Sequence, residues 1–205
     1  MPTCQLCNAK STLFYKDEFY KCSCCKAIFR PKEKLLDNEK EKQRYDSHTN
    51  DANDLGYQNF VKPITNSILN EFKSADIGLD FGCGKDSPIV KILEENSYKI
   101  AKYDIFFYDD KEILEQKYDY IACCEVIEHF YTPKKEFELL KSLLKDKSTL
   151  YLMTGIYRDN IDFSKWWYKN DLTHVFIFRE KTFEWIKKEF GFENMFIEKN
   201  FIKFF

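Results

Sequence analysis

The chain has 205 residues, enough for one full domain plus a small appendage, and its 44% apolar content suffices for an ordinary core. Lys and Arg number 32 against 34 Asp and Glu, a net charge of −2 that speaks against a dedicated nucleic-acid binder while leaving room for a local basic patch. No apolar run approaches the roughly 18 residues of a membrane span, and the opening Met1-Pro2-Thr3-Cys4 lacks the features of a secretion signal. The expectation is a cytoplasmic protein with no membrane partner.

Residues 1–31 are rich in cysteine and aromatic residues. Cys4-x-x-Cys7 and Cys22-x-x-Cys25 are separated by 14 residues. Each pair offers two thiolates from one tight knuckle, and zinc takes four such ligands tetrahedrally. Phe14, Tyr15, Phe19 and Tyr20 between the pairs suit a hairpin too small to fold on its own core. This stretch therefore reads as a zinc ribbon held by Cys4, Cys7, Cys22 and Cys25. Replacement of Cys25 by Cys24 is an alternative that the spacing leaves open. A ribbon of this kind is compatible with reading RNA, binding protein or bracing a neighbour.

Residues 32–75 are polar and read as a helical linker or lid, with Tyr45, His48 and Tyr57 placed to cover a cleft or simply to face solvent. From residue 76 to 205, short apolar runs alternate with helical patterns, the signature of an α/β sheet. Ile77–Phe81 is a predicted strand, and Ser87-Pro88 a helix start. Tyr98–Tyr103 and Tyr118–Cys123 are further strands. Thr132-Pro133 repeats the helix start, with Phe137, Leu140 and Leu144 along one stripe. Ser148–Thr154 is a strand, Thr182 a cap for a last helix ending near Gly191, and Phe192–Ile197 with Phe201–Phe205 close the sheet.

Chemistry concentrates where the strands end. Leu79-Asp80-Phe81-Gly82-Cys83-Gly84 joins the first strand to the first helix, and glycines there let backbone approach a nucleotide closely. Asp80 before Gly82 suits a cationic amino-acid cofactor better than a pyrophosphate. Asp104, about 20 residues on, can accept both hydroxyls of a ribose. Further along, Glu125, Glu128 and His129 form E-x-x-E-H at the tip of the next strand. If that tip turns helically, these side chains converge. His174 lies in a long loop that also carries Trp166, Trp167 and Tyr168, and long loops in compact domains usually serve function.

This ordered set resembles the class I S-adenosylmethionine-dependent methyltransferases, over roughly residues 75–205. With the cysteine pairs, the whole chain resembles a bacterial group of small zinc-ribbon methyltransferases. The resemblance implies a Rossmann-like α/β sheet preceded by the ribbon, with S-adenosylmethionine held by Asp80, Gly82, Cys83, Gly84, Asp104, Ile105, Cys124 and Glu125. Two departures stand out. Asp86 occupies the place of a third glycine, which would tighten the turn or crowd the methionine end. Only 13 residues separate Asp104 from Tyr118, so the third strand should be short or absent, with Ile105, Phe106 and Phe107 supplying apolar contact instead.

Glu125, Glu128, His129 and His174 are similar to a constellation that binds a divalent metal in methyltransferases of small-RNA 3′ ends, and E-x-x-E-H also occurs in O-methyltransferases acting on catechol-like rings. The alternatives are a general base at His129 or His174, or a purely structural network. The leading expectation is methyl transfer to a hydroxyl or amine of a small molecule. RNA as substrate, with the ribbon as reader, and a non-catalytic interaction module are the alternatives. Nothing in the sequence bears on oligomeric state.

Overall fold

The structure, a computed structural model, describes residues 1–36, 42 and 51–205. Tyr45 and His48, half of the expected lid, lie outside the described residues.

Two sheets organise the chain. The larger has six strands: β4 (Ile77–Phe81), β5 (Lys99–Tyr103), β6 (Tyr118–Cys124), β7 (Leu144–Met153), β9 (Met195–Glu198) and β10 (Phe201–Phe204). Their spatial order is β5-β4-β6-β7-β10-β9, with the first four parallel and the last two antiparallel to their neighbours. Among the described residues β5 and β9 are the edge strands. The 13-residue gap after Asp104 holds a single bridge to Tyr108 and a short 3-10 turn at Lys111–Glu115, so the third strand is absent as expected.

Strand alternation sorts the core into two faces. Tyr120, Ala122, Tyr151 and Met153 meet Val61, Ile64 and Ile68 of helix α1 (Leu55–Glu71) and Ile89 and Leu93 of α2 (Pro88–Glu95). Thus α1, which the sequence suggested as a polar linker, buries one stripe against the sheet. Leu79, Ile121, Cys123, Leu150 and Leu152 point the other way, towards α3 (Pro133–Leu143) and α4 (Glu180–Glu189). Cys4, Leu6, Cys25 and Phe29 of the N-terminal segment belong to that same apolar cluster.

The smaller sheet explains this continuity. It runs β1 (Ser11–Tyr15), β2 (Phe19–Cys22), β3 (Ile28–Phe29) and then β8 (Phe176–Ile177), a two-residue strand from the loop after β7. Ile28 pairs with Ile177 and Phe29 with Phe176. The N-terminal hairpins and the loop that follows β7 are therefore stitched by backbone hydrogen bonds as well as side-chain packing.

Several local expectations shift. Leu144 leaves the helical stripe and begins β7, where it pairs with Tyr118. The last helix starts at Glu180, so Thr182 lies inside its first turn and accepts from the Arg179 amide at 3.2 Å. Thr132 precedes α3, but its hydroxyl makes no cap bond. The closing strand begins at Met195, after Phe192 has turned into the core.

Gly78 in β4 is required by the fold. A Cβ there would lie 2.0 Å from the Tyr120 ring, which is fully buried. Overpacking of this kind costs about 1–3 kcal/mol. Gly78→Ala should lower the thermal midpoint by several degrees, measurable by calorimetric unfolding, and an unchanged midpoint would show that the ring gives way freely.

Candidate active site

The carboxyl ends of β4, β5, β6 and β7 converge on one edge. At the end of β4, Gly82 and Gly84 adopt φ of +78° and +64°. A side chain on Gly82 would also collide with Val126 at 2.4 Å. The turn is held by the Tyr103 carbonyl, which accepts from the Gly82 amide at 2.7 Å and the Cys83 amide at 3.2 Å. The Asp104 carboxylate accepts from the amides of Gly84 (2.9 Å) and Phe106 (2.9 Å). Asp80 is buried beneath the turn and accepts from the Ser87 hydroxyl at 2.5 Å. Burial raises its pKa to about 7, opposed by the Ser87 bond and assisted by the charge of Asp104.

The remaining expected cofactor residues surround this turn. Cys83 is buried, Cys124 half-buried at the tip of β6, and Ile105 is exposed at 63% beside Asp104. Asp86 does not crowd the turn. It reaches outwards and accepts from the Ala52 amide at 2.8 Å, fastening the segment that leads into α1. Tyr57, in the first turn of α1, lies close enough that burial first, then the charges of Cys124 and Asp80, raise its pKa. The Asp86 bond was not legible in the sequence, because it spans 34 residues of chain.

At the end of β6, Glu125 takes φ +52° and donates its amide to the Met153 carbonyl at 2.8 Å. A left-handed backbone at a non-glycine residue costs about 1–3 kcal/mol and is common at functional sites. The next turn, Ile127–His129, is 3-10 helical. It places Glu128 fully inside the protein, where the Thr154 hydroxyl donates at 2.9 Å and the Tyr168 hydroxyl at 2.6 Å. Its backbone carbonyl accepts from Val175 at 2.9 Å. Tyr168 belongs to the aromatic loop that the sequence singled out, whereas Thr154 is a neighbour that the sequence did not signal.

Ligand atoms of Glu128, His129 and His174 lie within 4.8 Å of one another, so three of the four expected residues form one cluster. Glu125 stands beside it. Burial first, then the Glu128 charge, raises the Glu125 pKa to about 9. His129 Nδ1 donates to the Thr173 carbonyl at 2.9 Å and His174 Nδ1 to the Tyr168 carbonyl at 2.8 Å. A carbonyl can only accept, so each Nδ1 carries the proton and Nε2 is the nitrogen that would serve a metal. Burial lowers the His174 pKa, which keeps this ring neutral near pH 7. Two imidazoles oriented by carbonyls, with a carboxylate oriented by two hydroxyls, fit a divalent cation.

Beside this cluster opens a cleft of about 680 Å³. Glu125, Gly155 and Tyr168 form its inner wall, Trp166 and Trp167 one side, and Phe60 of α1 another. Trp167 is 70% exposed, so its ring is available to a ligand.

In the N-terminal segment, the sulfurs of Cys4, Cys7, Cys22 and Cys25 also lie within 4.8 Å of one another. Cys4 and Cys25 are 3.6 Å apart, Cys7 and Cys22 3.3 Å. A tetrahedron with zinc–sulfur bonds of roughly 2.3 Å has edges of about 3.8 Å, so the donor set fits. The Cys25 thiol draws the Cys4 pKa down to about 6. The side chain of Cys24 is exposed, and its amide donates to Cys22 Sγ at 3.3 Å, so Cys25 is the fourth member.

A parallel α/β sheet with a glycine turn, a carboxylate at the neighbouring strand end and a flanking cleft is the fold of the S-adenosylmethionine-dependent methyltransferases. It is similar to that of a SAM-dependent methyltransferase from Archaeoglobus fulgidus, with TM-score 0.55 and 23% identity over 69% of this chain and 72% of that one. An O-methyltransferase family protein from Burkholderia thailandensis gives TM-score 0.55 and 10% identity over 80% and 61%. Human N-acetylserotonin methyltransferase, solved in complex with SAM, gives 0.54 and 12% over 72% and 52%, so the chain spans about half the length of that enzyme. A comparison with curated protein sequences returns no match. A family model described as a methyltransferase domain matches residues 54–195, and the chain belongs to that family.

The Glu125 pKa gives a sign to pH dependence. Its folded value, about 9, lies above the ordinary 4.5, so the folded state holds the proton more tightly. The associated stability is present below pH 4.5 and is lost as pH rises towards 9. Glu125→Gln should flatten urea-unfolding stability between pH 5 and 9; an unchanged slope would contradict the assignment.

Proposed function

We propose that this methyltransferase domain transfers the sulfonium methyl of S-adenosylmethionine to a hydroxyl or amine of a small molecule lodged in the aromatic cleft. One observation carries the reading. The turn of Gly82, Gly84 and Asp104 and the cluster of Glu128, His129 and His174 stand at the carboxyl ends of adjacent parallel strands, with the cleft beside them. A cleft of this size matches the roughly 300–1,000 Å³ of small-molecule sites and favours such an acceptor over an extended polymer.

The chain's own residues bind and align. Gly82, Cys83 and Gly84 offer a close backbone approach, Asp104 would accept from the ribose hydroxyls, and Ile105 would offer apolar contact to the adenine where the third strand is missing. Asp80 would provide a carboxylate for the ammonium group. When bound, the cofactor supplies an electrophilic methyl group, and most of the rate comes from holding the acceptor in line with it. His174, neutral near pH 7, is competent to accept the acceptor's proton or, with Glu128 and His129, to hold a divalent cation that orients acceptor oxygens. Cys4, Cys7, Cys22 and Cys25 would hold a structural zinc ion.

Calorimetric titration with S-adenosylmethionine tests the core of this reading. Micromolar affinity is expected, with at least a tenfold loss in Asp104→Ala, the scale of a charge-assisted bond; absence of binding would refute it. Because Asp80 is protonated below about pH 7, affinity should weaken by about tenfold per pH unit below that value. Asp80→Asn should abolish this slope.

A further inference from the structure

Arg30 follows β3 directly and is buried, an unusual place for a guanidinium. Its backbone amide donates to the Val175 carbonyl at 2.8 Å. Its guanidinium donates to the Lys169 carbonyl at 2.9 Å. One residue thus grips both ends of segment 169–175, the segment that carries His174. The Arg30 carbonyl accepts from the Gln5 side chain at 3.2 Å, and Gln5 lies inside the Cys4–Cys7 knuckle. Glu18, 3.3 Å away, and the Phe19 ring, 4.3 Å from the guanidinium carbon, fix the direction of the fork.

Segment 169–175 also holds contacts of its own. Fixing each backbone residue costs about 1–2 kcal/mol. Within the segment, Asp171 accepts from the Thr173 amide and hydroxyl, and the His174 amide donates to the Asp171 carbonyl. At its far end Val175 donates to Glu128. His129 reads its position from the Thr173 carbonyl, and His174 from the Tyr168 carbonyl. The orientation of both imidazoles therefore depends on where this segment lies. The cofactor turn depends on Tyr103 and Asp104 instead.

We propose that Arg30 is a positioning residue for the acceptor side of the site, and that the four-cysteine ribbon acts through it as a brace that orders segment 169–175 and the Glu128–His129–His174 cluster while leaving cofactor binding alone. The role assigned to the cluster rests on the function proposed above, but the bracing does not. In this arrangement, loss of the ribbon's metal or oxidation of its thiols would silence the acceptor side with the cofactor still bound.

Hydrogen exchange by mass spectrometry on the full chain, together with calorimetric titration of S-adenosylhomocysteine, tests the brace. In Arg30→Gln, exchange across 169–175 should rise tenfold or more, while exchange across 82–86 and affinity for S-adenosylhomocysteine stay within twofold. Arg30→Lys keeps the charge but lacks the planar fork, so its exchange should fall between. Cys7→Ser, at the most accessible of the four sulfurs, should reproduce the Arg30→Gln pattern. Wild-type protection across 169–175 in Arg30→Gln would overturn the proposal, as would an equal rise across 82–86. If Arg30→Gln does not fold, Arg30→Lys decides by the same comparison. Failure of the wild type to bind S-adenosylhomocysteine would strike the methyltransferase reading, with the exchange comparison still deciding the brace.

Discussion

Glu128 is the constraint on which this site is built. A carboxylate with no exposure to water is tolerated only when its oxygens are bonded, and removing a partner from such a group is expensive. Its side-chain partners are Thr154 past the end of β7 and Tyr168 in the following loop, while its backbone carbonyl accepts from Val175 just before β8. Satisfying one buried acid therefore fixes the end of the parallel sheet against the long loop. The same arrangement brings His129 and His174 to within 4.9 Å between ring centres.

Around this acid the molecule divides its work. The cofactor edge is local: Gly82 and Gly84 close on Tyr103 and Asp104 within about 20 residues of chain. The acceptor side is non-local, assembled from segments up to 139 residues apart, as in the bond from Arg30 to Lys169. Asp86 and Tyr57 link the two through α1, whose Phe60 also borders the cleft. A local turn on the sheet edge and a cluster assembled from distant loops fit the usual arrangement of specificity carried by loops on a rigid scaffold.

The same division decides what the sequence could reveal. The cysteine knuckles, the glycine turn, Asp104 and E-x-x-E-H are short-range patterns whose chemistry survives without a structure. The missing third strand was legible as well, because 13 residues cannot hold the usual elements. Tyr168 was visible as part of an aromatic loop but not as a partner of Glu128, and Thr154 carried no signal, since a hydroxyl announces a buried carboxylate only once the fold joins them. β8 escaped notice because two residues, Phe176 and Ile177, have no periodicity of their own. Asp86 was misread from its place in a motif, when its partner, Ala52, lies 34 residues upstream. The helix-end shifts at Leu144 and Thr182 are of the ordinary kind, where pairing with a neighbour outweighs local capping.

Manganese offers the most direct test of the central claim, that Glu128, His129 and His174 form one prepared ligand set. In crystals of the full chain soaked with Mn²⁺, anomalous diffraction should place a single strong peak between the Glu128 carboxylate and the Nε2 atoms of His129 and His174, lost in crystals of Glu128→Gln. A peak elsewhere, or none at this cluster, would contradict the account.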